Sequence, residues 1–538
     1  MPDHRIAARA ARGAAGTVGR AVRVTDPDRL RSVLEDAAHF PGGHTSALVA
    51  PATETEIADV LRTATAVLPI GAQSSLTGGA TPRGEVVLST SRLNRILEIG
   101  PDTARVQAGV TLLELDEALA RTGRYYPPAP TFNGAFVGGT VATNAAGAAT
   151  FKYGATRDWI RAITVILPSG DVLDIERGKT MAHADGYFDI AIGDGNVRVP
   201  VPTYHMPSVP KVSAGYFAAP GMDLIDLFIG AEGTLGVVTE ITLRVLPSRP
   251  AWCLAFVPFV DRTAALTFVR ALRETSRETW RRKDVRGLDV SAIEHLDARC
   301  LQIAREDGLD RQTGVTWPDG TAMALLVTLE LPPGTSADQA FDDIGRARDV
   351  DAPDTPLVRF CHLLDGAGVF DEVQIAAPGD TTRAAQFIAL REGVPASVNQ
   401  RVGRARQNVD QRIEKTAADM IVPFDRFAEL LDRYDAEFGR RGLDVAVWGH
   451  ISDGNLHPNV IPRSFADVES GKAAVLTLGR AVIALGGSPL AEHGVGRNPV
   501  KQQLLLDLYG REGIEEMRRV KRALDPHGKL APGVLFPA

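Results

Sequence analysis

Cysteine is scarce: only Cys253, Cys300 and Cys361 occur in 538 residues, widely separated and with no CxxC. That spacing excludes a disulfide framework and an iron–sulfur ligand set, and it fits a reducing cytoplasm. Long hydrophobic runs are missing too. The longest, such as AWCLAFVPFV from Ala251, fall well short of the ~20 residues that a spanning helix requires. No transmembrane segment is expected, and a peripheral place at an inner membrane stays compatible. The formal charge is only -7, with no strong excess of basic residues, which removes the electrostatic motive for binding nucleic acid or an anionic membrane. The expected partner is a small molecule or another protein, and a homodimer is compatible. Tyrosine is sparse, with 8 in the chain, which weighs against chemistry built on active-site phenols.

What is present is ordinary globular material, 44% hydrophobic and 23% charged, in a chain too long for one core. Two domains are expected, one of them able to interrupt the other. Residues 1–35, Arg- and Ala-rich without an apolar signal core, read as a frayed N-terminal extension, an organellar presequence being the alternative. Residues 36–250 alternate β-branched runs (AVLPI, EVVLST, AITVILPSG) with glycine-dense turns. PSRPA marks a boundary, after which residues 251–490 carry longer charged amphipathic helices with strands such as AMALLVTLEL between them. Residues 491–538 end in DPHGKLAPGVLF, a Pro/Gly-rich tail expected to dock on an existing surface.

Three glycine-rich clusters stand out in the first half: LPIGAQSSLTGGATPRG, FVGGTVATNAAGAATFKYGATRD and FIGAEGTLGVVTE. Each adjoins a β-like run and lets bare backbone N–H groups approach a guest closely, for which a pyrophosphate is the natural candidate. None is a GxGxxG opening a helix or a GxxxxGK[ST] loop. Tight turns in a glycine-rich sheet are the plain alternative for any one cluster, less so for three together. In order and spacing the clusters resemble the FAD-binding domain of the vanillyl-alcohol oxidase superfamily (PCMH type). YPPAPTF, from Tyr126, resembles that family's loop beside the flavin.

The resemblance implies an α+β fold: a PCMH-type FAD domain, an α/β cap domain with an antiparallel sheet, and a C-terminal segment returning to the FAD domain. It implies that Pro69, Gly71, Ala72, Gln73, Ser74, Ser75, Leu76, Gly79 and Ala80 wrap the pyrophosphate. Pro128 would stand beside the flavin. Gly138, Gly139, Thr140, Asn144, Gly147 and Tyr153, with Glu232, Gly233, Val237 and Val238, would line its isoalloxazine and adenine ends. Flavinylated relatives carry a histidine where this chain has Gln73-Ser74-Ser75, so the FAD is expected to be non-covalent.

In the second half, WGHISDGNLHPN sets two histidines symmetrically about Asp453-Gly454. Asp-Gly is a strong two-residue hairpin signal. A type I′ turn there would pair Ser452 with Asn455 and His450 with His457, placing two imidazoles on one face with Cβ atoms roughly 5 Å apart. Such a pair suits a divalent cation but needs more ligands, and PLAEHGVGRNP offers Glu492 and His493. Hydrogen-bonded structural histidines are the alternative from the hairpin alone.

HISDGNLHPN followed by AEHGVG is similar to the C-terminal domain of the flavin-dependent D-2-hydroxy-acid dehydrogenases, the D-lactate dehydrogenase, glycolate oxidase and D-2-hydroxyglutarate dehydrogenase group. That similarity implies His450, His457 and Glu492 as ligands of a divalent metal, zinc first, with iron or manganese as alternatives. It implies His493 as catalytic base, Asn459 near the substrate and Arg391 on the substrate carboxylate, where bidentate recognition suits a guanidinium. Lys415 and Asp419 match only loosely, and Ala417 stands where some relatives have a substrate-contacting lysine. Ala531 replaces an asparagine of the more usual LNPG. The implied activity is metal-assisted oxidation of a small D-2-hydroxy acid to the 2-oxo acid, with electrons leaving through a quinone, a cytochrome or an electron-transfer flavoprotein. A same-fold enzyme acting on phenols or an alkyl-glycerone phosphate, and a non-redox binding scaffold, are the rival readings.

Overall fold

The computed structural model describes residues 3–13, 21–128 and 132–537. The chain forms two compact units: Met1–Gly147, Gly154–Pro247 and Ser488–Ala538 make the first, Ala148–Tyr153 and Ser248–Gly487 the second. Both mix helices and sheets, the α+β class expected.

In the first unit, strands Arg23–Val24, Leu48–Val49, Val86–Ser89 and Val67–Ile70 lie side by side in that order, parallel except for the first pair. Val67, Leu68, Val87 and Leu88 are all buried, the near-continuous apolar run of parallel strands covered on both faces. Helix Glu54–Thr63 starts at Thr53, whose side chain accepts from the Glu56 N–H, and turns Ile57 and Leu61 inward. These residues share a core with Ile166, Val172 and Val237 of an antiparallel five-stranded sheet. That sheet runs Val172–Glu176, Ile160–Ile166, Val237–Arg244, Thr103–Gln107, Ile96–Ile99.

The N-terminal stretch does not fray over its described part. Arg5–Ala7 adds a parallel strand beside Tyr187–Ile192, and the Arg9 guanidinium reaches both Glu54 and Asp174 at 2.6 Å. Residues 14–20 lie outside the described residues. The tail docks as expected, with the Ala531 N–H donating to the Val67 carbonyl at 2.8 Å.

The second unit is built on an antiparallel sheet in the order Gln374–Ala376, Ala251–Phe259, Met323–Leu331, Asp289–Asp297, Val445–Gly449, Asn455–Val460, Thr416–Ala417, with Met420–Ile421 also pairing with Asn455–Val460. Helix Thr381–Asn408 packs Phe387, Leu390, Val394 and Val398 into a core with Phe256, Leu301 and Trp448. Ala148–Tyr153 belongs here although the sequence around it reads as part of the first half. Lys152 donates to Asp289 at 2.6 Å and to Glu330 at 2.5 Å, and the Tyr153 hydroxyl donates to Glu330 at 2.7 Å.

Candidate active site

A cavity of about 310 Å³ opens in the first unit, and all three glycine clusters line it. From the first come Pro69, Gly71, Ala72, Gln73, Ser74, Ser75, Leu76, Gly79 and Ala80; from the second, Gly138, Gly139 and Thr140; from the third, Glu232, Gly233, Val237 and Val238. Asn144, Gly147, Tyr153 and Pro128 are not on its wall. Asn144 is a left-handed helix cap whose Oδ1 accepts the Arg157 N–H at 3.0 Å, and Tyr153 belongs to the second unit. Ala129, Pro130 and Thr131 of YPPAPTF lie outside the described residues, while Phe132 lines the cavity.

Backbone forms most of this wall. A Cβ added at Gly139 would meet nothing within 4 Å, so the chain there faces open space, the cradle that a dinucleotide needs. Gln73 is held at φ 53, and its amide donates to the carbonyls of Val33, Glu35 and Ala80, so this side chain ties the loop rather than serving a guest. Glu232, at φ 51, accepts the N–H groups of Val495 and Gly496, both at 2.8 Å. Burial pushes its carboxyl up to about 6, against the pull of those two N–H groups.

Glu232 thereby binds the AEHGVG segment to the cavity, aided by the Arg497 N–H donating to the Thr77 carbonyl at 2.9 Å. Glu492 and His493 sit on the wall as a result. His493 is 30% exposed, its Nε2 3.7 Å from Glu492 Oε1, and the other carboxylate oxygen accepts from Lys211 Nζ at 2.9 Å. The Lys211 side chain is wholly buried. Sequence reasoning missed this lysine, because it stands 281 positions before its partner.

His450 and His457 belong to the second unit. The hairpin forms, but its register corrects the expectation: Trp448, not His450, pairs with His457, and Ala446 pairs with Asn459. The turn is longer than two residues. The N–H groups of Asp453 and Asn455 both donate to the His450 carbonyl at 3.2 Å, and of the Asp-Gly pair only Gly454 has a positive φ, 91°. Gly449 makes this turn feasible. It sits at φ 155, and a Cβ there would lie 2.4 Å from the Asn455 carbonyl oxygen.

The two rings nevertheless converge, with centroids 5.5 Å apart and planes at 86°. Each turns Nδ1 toward a carboxylate: His450 Nδ1 lies 3.2 Å from Glu294 Oε1, and His457 Nδ1 lies 3.6 Å from Asp419 Oδ1. A carboxylate close to Nδ1 favours the tautomer whose Nε2 lone pair can hold a cation, which fits a metal-ligand role for both histidines. Asp419 also accepts from Asn455 Nδ2 at 3.1 Å. Glu294 is buried, which alone would raise its pKa, yet the Arg391 charge and the His450 contact outweigh burial and hold the carboxyl at about 2.

Arg391 is not a surface residue. It projects from helix Thr381–Asn408, 16% exposed, with one terminal nitrogen 2.6 Å from Glu294. Asn459 donates to the His457 carbonyl at 2.9 Å, while its buried Oδ1 meets no hydrogen-bond partner among the described residues and so remains an available acceptor. Ala417 pairs in register with Asn459, and burial lowers the Lys415 ammonium to about 8.

Residues 45–176 match the family described as FAD binding domain, and residues 255–535 match the FAD linked oxidases, C-terminal domain. A D-2-hydroxyglutarate dehydrogenase of Xanthomonas citri pv. viticola is 29% identical over 527 residues, 94% of this chain and 94% of that protein. A D-lactate dehydrogenase of Anaerostipes hadrus is 28% identical over 87% of this chain and 83% of its own length. A glycolate oxidase subunit of Bacillus subtilis is 26% identical over 91% and 88%. A solved alkyldihydroxyacetonephosphate synthase covers 95% of this chain and 82% of its own with a TM-score of 0.58 at 14% identity, a likeness of fold alone. No helix among the described residues is long and apolar enough to cross a membrane.

Proposed function

The chain belongs to the FAD-linked oxidases, and from that premise we propose that it oxidises a D-2-hydroxy acid, of the lactate, glycolate or 2-hydroxyglutarate kind, to the 2-oxo acid with the help of a divalent cation. The observation that carries the reading is the glycine-walled cavity with His493 and Glu492 on its side. The names of the relatives point to the same substrate class.

FAD, once bound, supplies the acceptor for the hydride from the substrate's α-carbon. The backbone N–H groups around Gly71 and Gly79 would hold its phosphates, and Gly139, Thr140, Val237 and Val238 would border its isoalloxazine and adenine ends. His450, His457 and Glu492 would hold the cation, zinc before iron or manganese, and that ion supplies Lewis acidity toward the substrate oxygens. His493 accepts the hydroxyl proton at a ring nitrogen as the α-carbon loses hydride, so the C–O bond becomes C=O and two electrons leave. Arg391 offers the substrate carboxylate the N–H groups that Glu294 does not occupy. Asn459 Oδ1, buried and without a hydrogen-bond partner among the described residues, would accept from the substrate. The electrons then pass to a quinone, a cytochrome or an electron-transfer flavoprotein.

The test is a screen of D- and L-2-hydroxy acids with an artificial dye acceptor, with and without a chelator. Turnover of one D-acid, lost with chelator and restored by one cation, is the expected result. His450→Ala and His457→Ala should remove metal and turnover while the protein stays yellow. Normal turnover by a variant shown to be metal-free would overturn the cation's part, and a purified protein with no flavin absorbance would overturn the whole.

A further inference from the structure

Arg391 stands on a long helix and His450 in a hairpin turn, 59 positions later in the chain. One oxygen serves both: Glu294 Oε1 is 2.6 Å from an Arg391 terminal nitrogen and 3.2 Å from His450 Nδ1. We propose that Glu294 is the positioning residue of this site, a single carboxylate that orients the metal-ligating imidazole and the substrate-binding guanidinium together. The proposal rests on the metal-assisted reading above.

The fold delivers Glu294 to that point for reasons independent of the reading. In the antiparallel ladder His295 pairs with Gly449 and Leu296 with Trp448, so the next rung sets Glu294 opposite His450. Gly449, at φ 155, precedes that rung, and His450 Nδ1 comes within 3.2 Å of Glu294 on the neighbouring strand. From the other side, Phe387, Leu390 and Val394 seat helix Thr381–Asn408 in the core and present Arg391. The gap lined by Glu294, His295, Phe387, Leu390 and Arg391 is about 10 Å³, room for one water at most, so Glu294 and Arg391 meet with little space beside them.

Two consequences follow from a shared carboxylate. Glu294 sets a carboxylate oxygen 3.2 Å from His450 Nδ1, which favours the tautomer protonated there and leaves Nε2 as the lone pair offered to the ion. It also cancels the charge of Arg391, so the guanidinium recognises a substrate carboxylate by the direction of its remaining N–H groups rather than by net charge. The residue touches neither ion nor substrate and acts through the two that do.

The experiment measures zinc affinity of the FAD-loaded protein by competition with a chromogenic chelator, in wild type, Glu294→Gln, Glu294→Asp and His450→Ala. Loss of an outer carboxylate behind a ligating histidine weakens metal binding by about 10–100-fold, and that is the expectation for Glu294→Gln, with flavin absorbance retained. Turnover lost at limiting zinc should return at excess zinc, a rescue that a folding defect would not show. Wild-type zinc affinity in Glu294→Gln, or a wild-type KM for the acid at excess zinc, overturns the proposal. Should Glu294→Gln lose its flavin, Glu294→Asp decides: the shortened carboxylate should weaken zinc measurably, and wild-type affinity overturns the idea. If His450→Ala also binds zinc as wild type does, the metal reading itself has failed, an outcome distinct from failure of Glu294 alone.

Discussion

Lys211→Met should destabilise the first unit far more than a routine substitution does. The Lys211 ammonium lies 2.9 Å from Glu492 Oε2, and the two side chains are 0% and 7% exposed. Solvent therefore cannot take over when the partner goes. Removing one member of a buried ion pair costs about 3–5 kcal/mol, because a charge stays behind in a poor dielectric, whereas replacing both members with apolar groups of similar size is close to neutral. At 1.4 kcal/mol per factor of ten, the single change lowers the folded-to-unfolded ratio by roughly 10²–10³ or more. The assay is urea unfolding of chelator-treated protein, followed by release of flavin fluorescence, for Lys211→Met, Glu492→Leu and the double variant. The double variant should recover most of the loss in either single one. A Lys211→Met variant within about 1 kcal/mol of wild type, or a double variant as unstable as the sum of the singles, would refute the reasoning.

Three further outcomes are expected. Gly449→Ala puts a methyl 2.4 Å from the Asn455 carbonyl at a φ of 155°, so it should cost about 2 kcal/mol or more and lower zinc retention along with stability; normal zinc content in a folded variant would contradict the role given to that turn. Glu232 titrates at about 6 in the fold against a reference of 4.5. Its folded-state pKa is raised, so its contribution is fully present below pH 4.5 and is lost as pH rises through 6, about 2 kcal/mol in all. Glu232→Gln should flatten that part of a stability-against-pH curve, and an unchanged slope would mean another group is responsible. Glu294, held at about 2, has the opposite sign: its stabilisation is present above pH 4.5 and fades as pH falls toward 2, so acid unfolding of Glu294→Gln should begin from a less stable state but show a shallower fall, as read by circular dichroism.

Much of the site could be read from the chain because glycine and histidine leave local signatures. The three clusters around the cavity are dense in glycine where backbone must face a guest, and that demand is met within a few residues. HISDGNLHPN likewise announces a reversal that brings two imidazoles together. The register could not be read the same way. Asp-Gly favours a two-residue turn in isolation, but a Cβ at Gly454 would lie 2.3 Å from the Val422 carbonyl oxygen. That glycine therefore answers to a packed neighbour and not only to the turn. Gln73 and Asn144 illustrate the converse limit: nothing in the sequence showed that their side chains satisfy carbonyl or N–H groups of their own unit.

By itself the sequence determined the class of fold, the glycine-lined cavity and the identity of the histidines, since backbone freedom and imidazole chemistry belong to the residues that carry them. Only the tertiary structure decided the partners of those groups: Lys211 for Glu492, Glu294 for both Arg391 and His450, Asp419 for His457. A buried charge must find its counter-charge in space, and no spacing along a chain records which distant strand or helix will supply it.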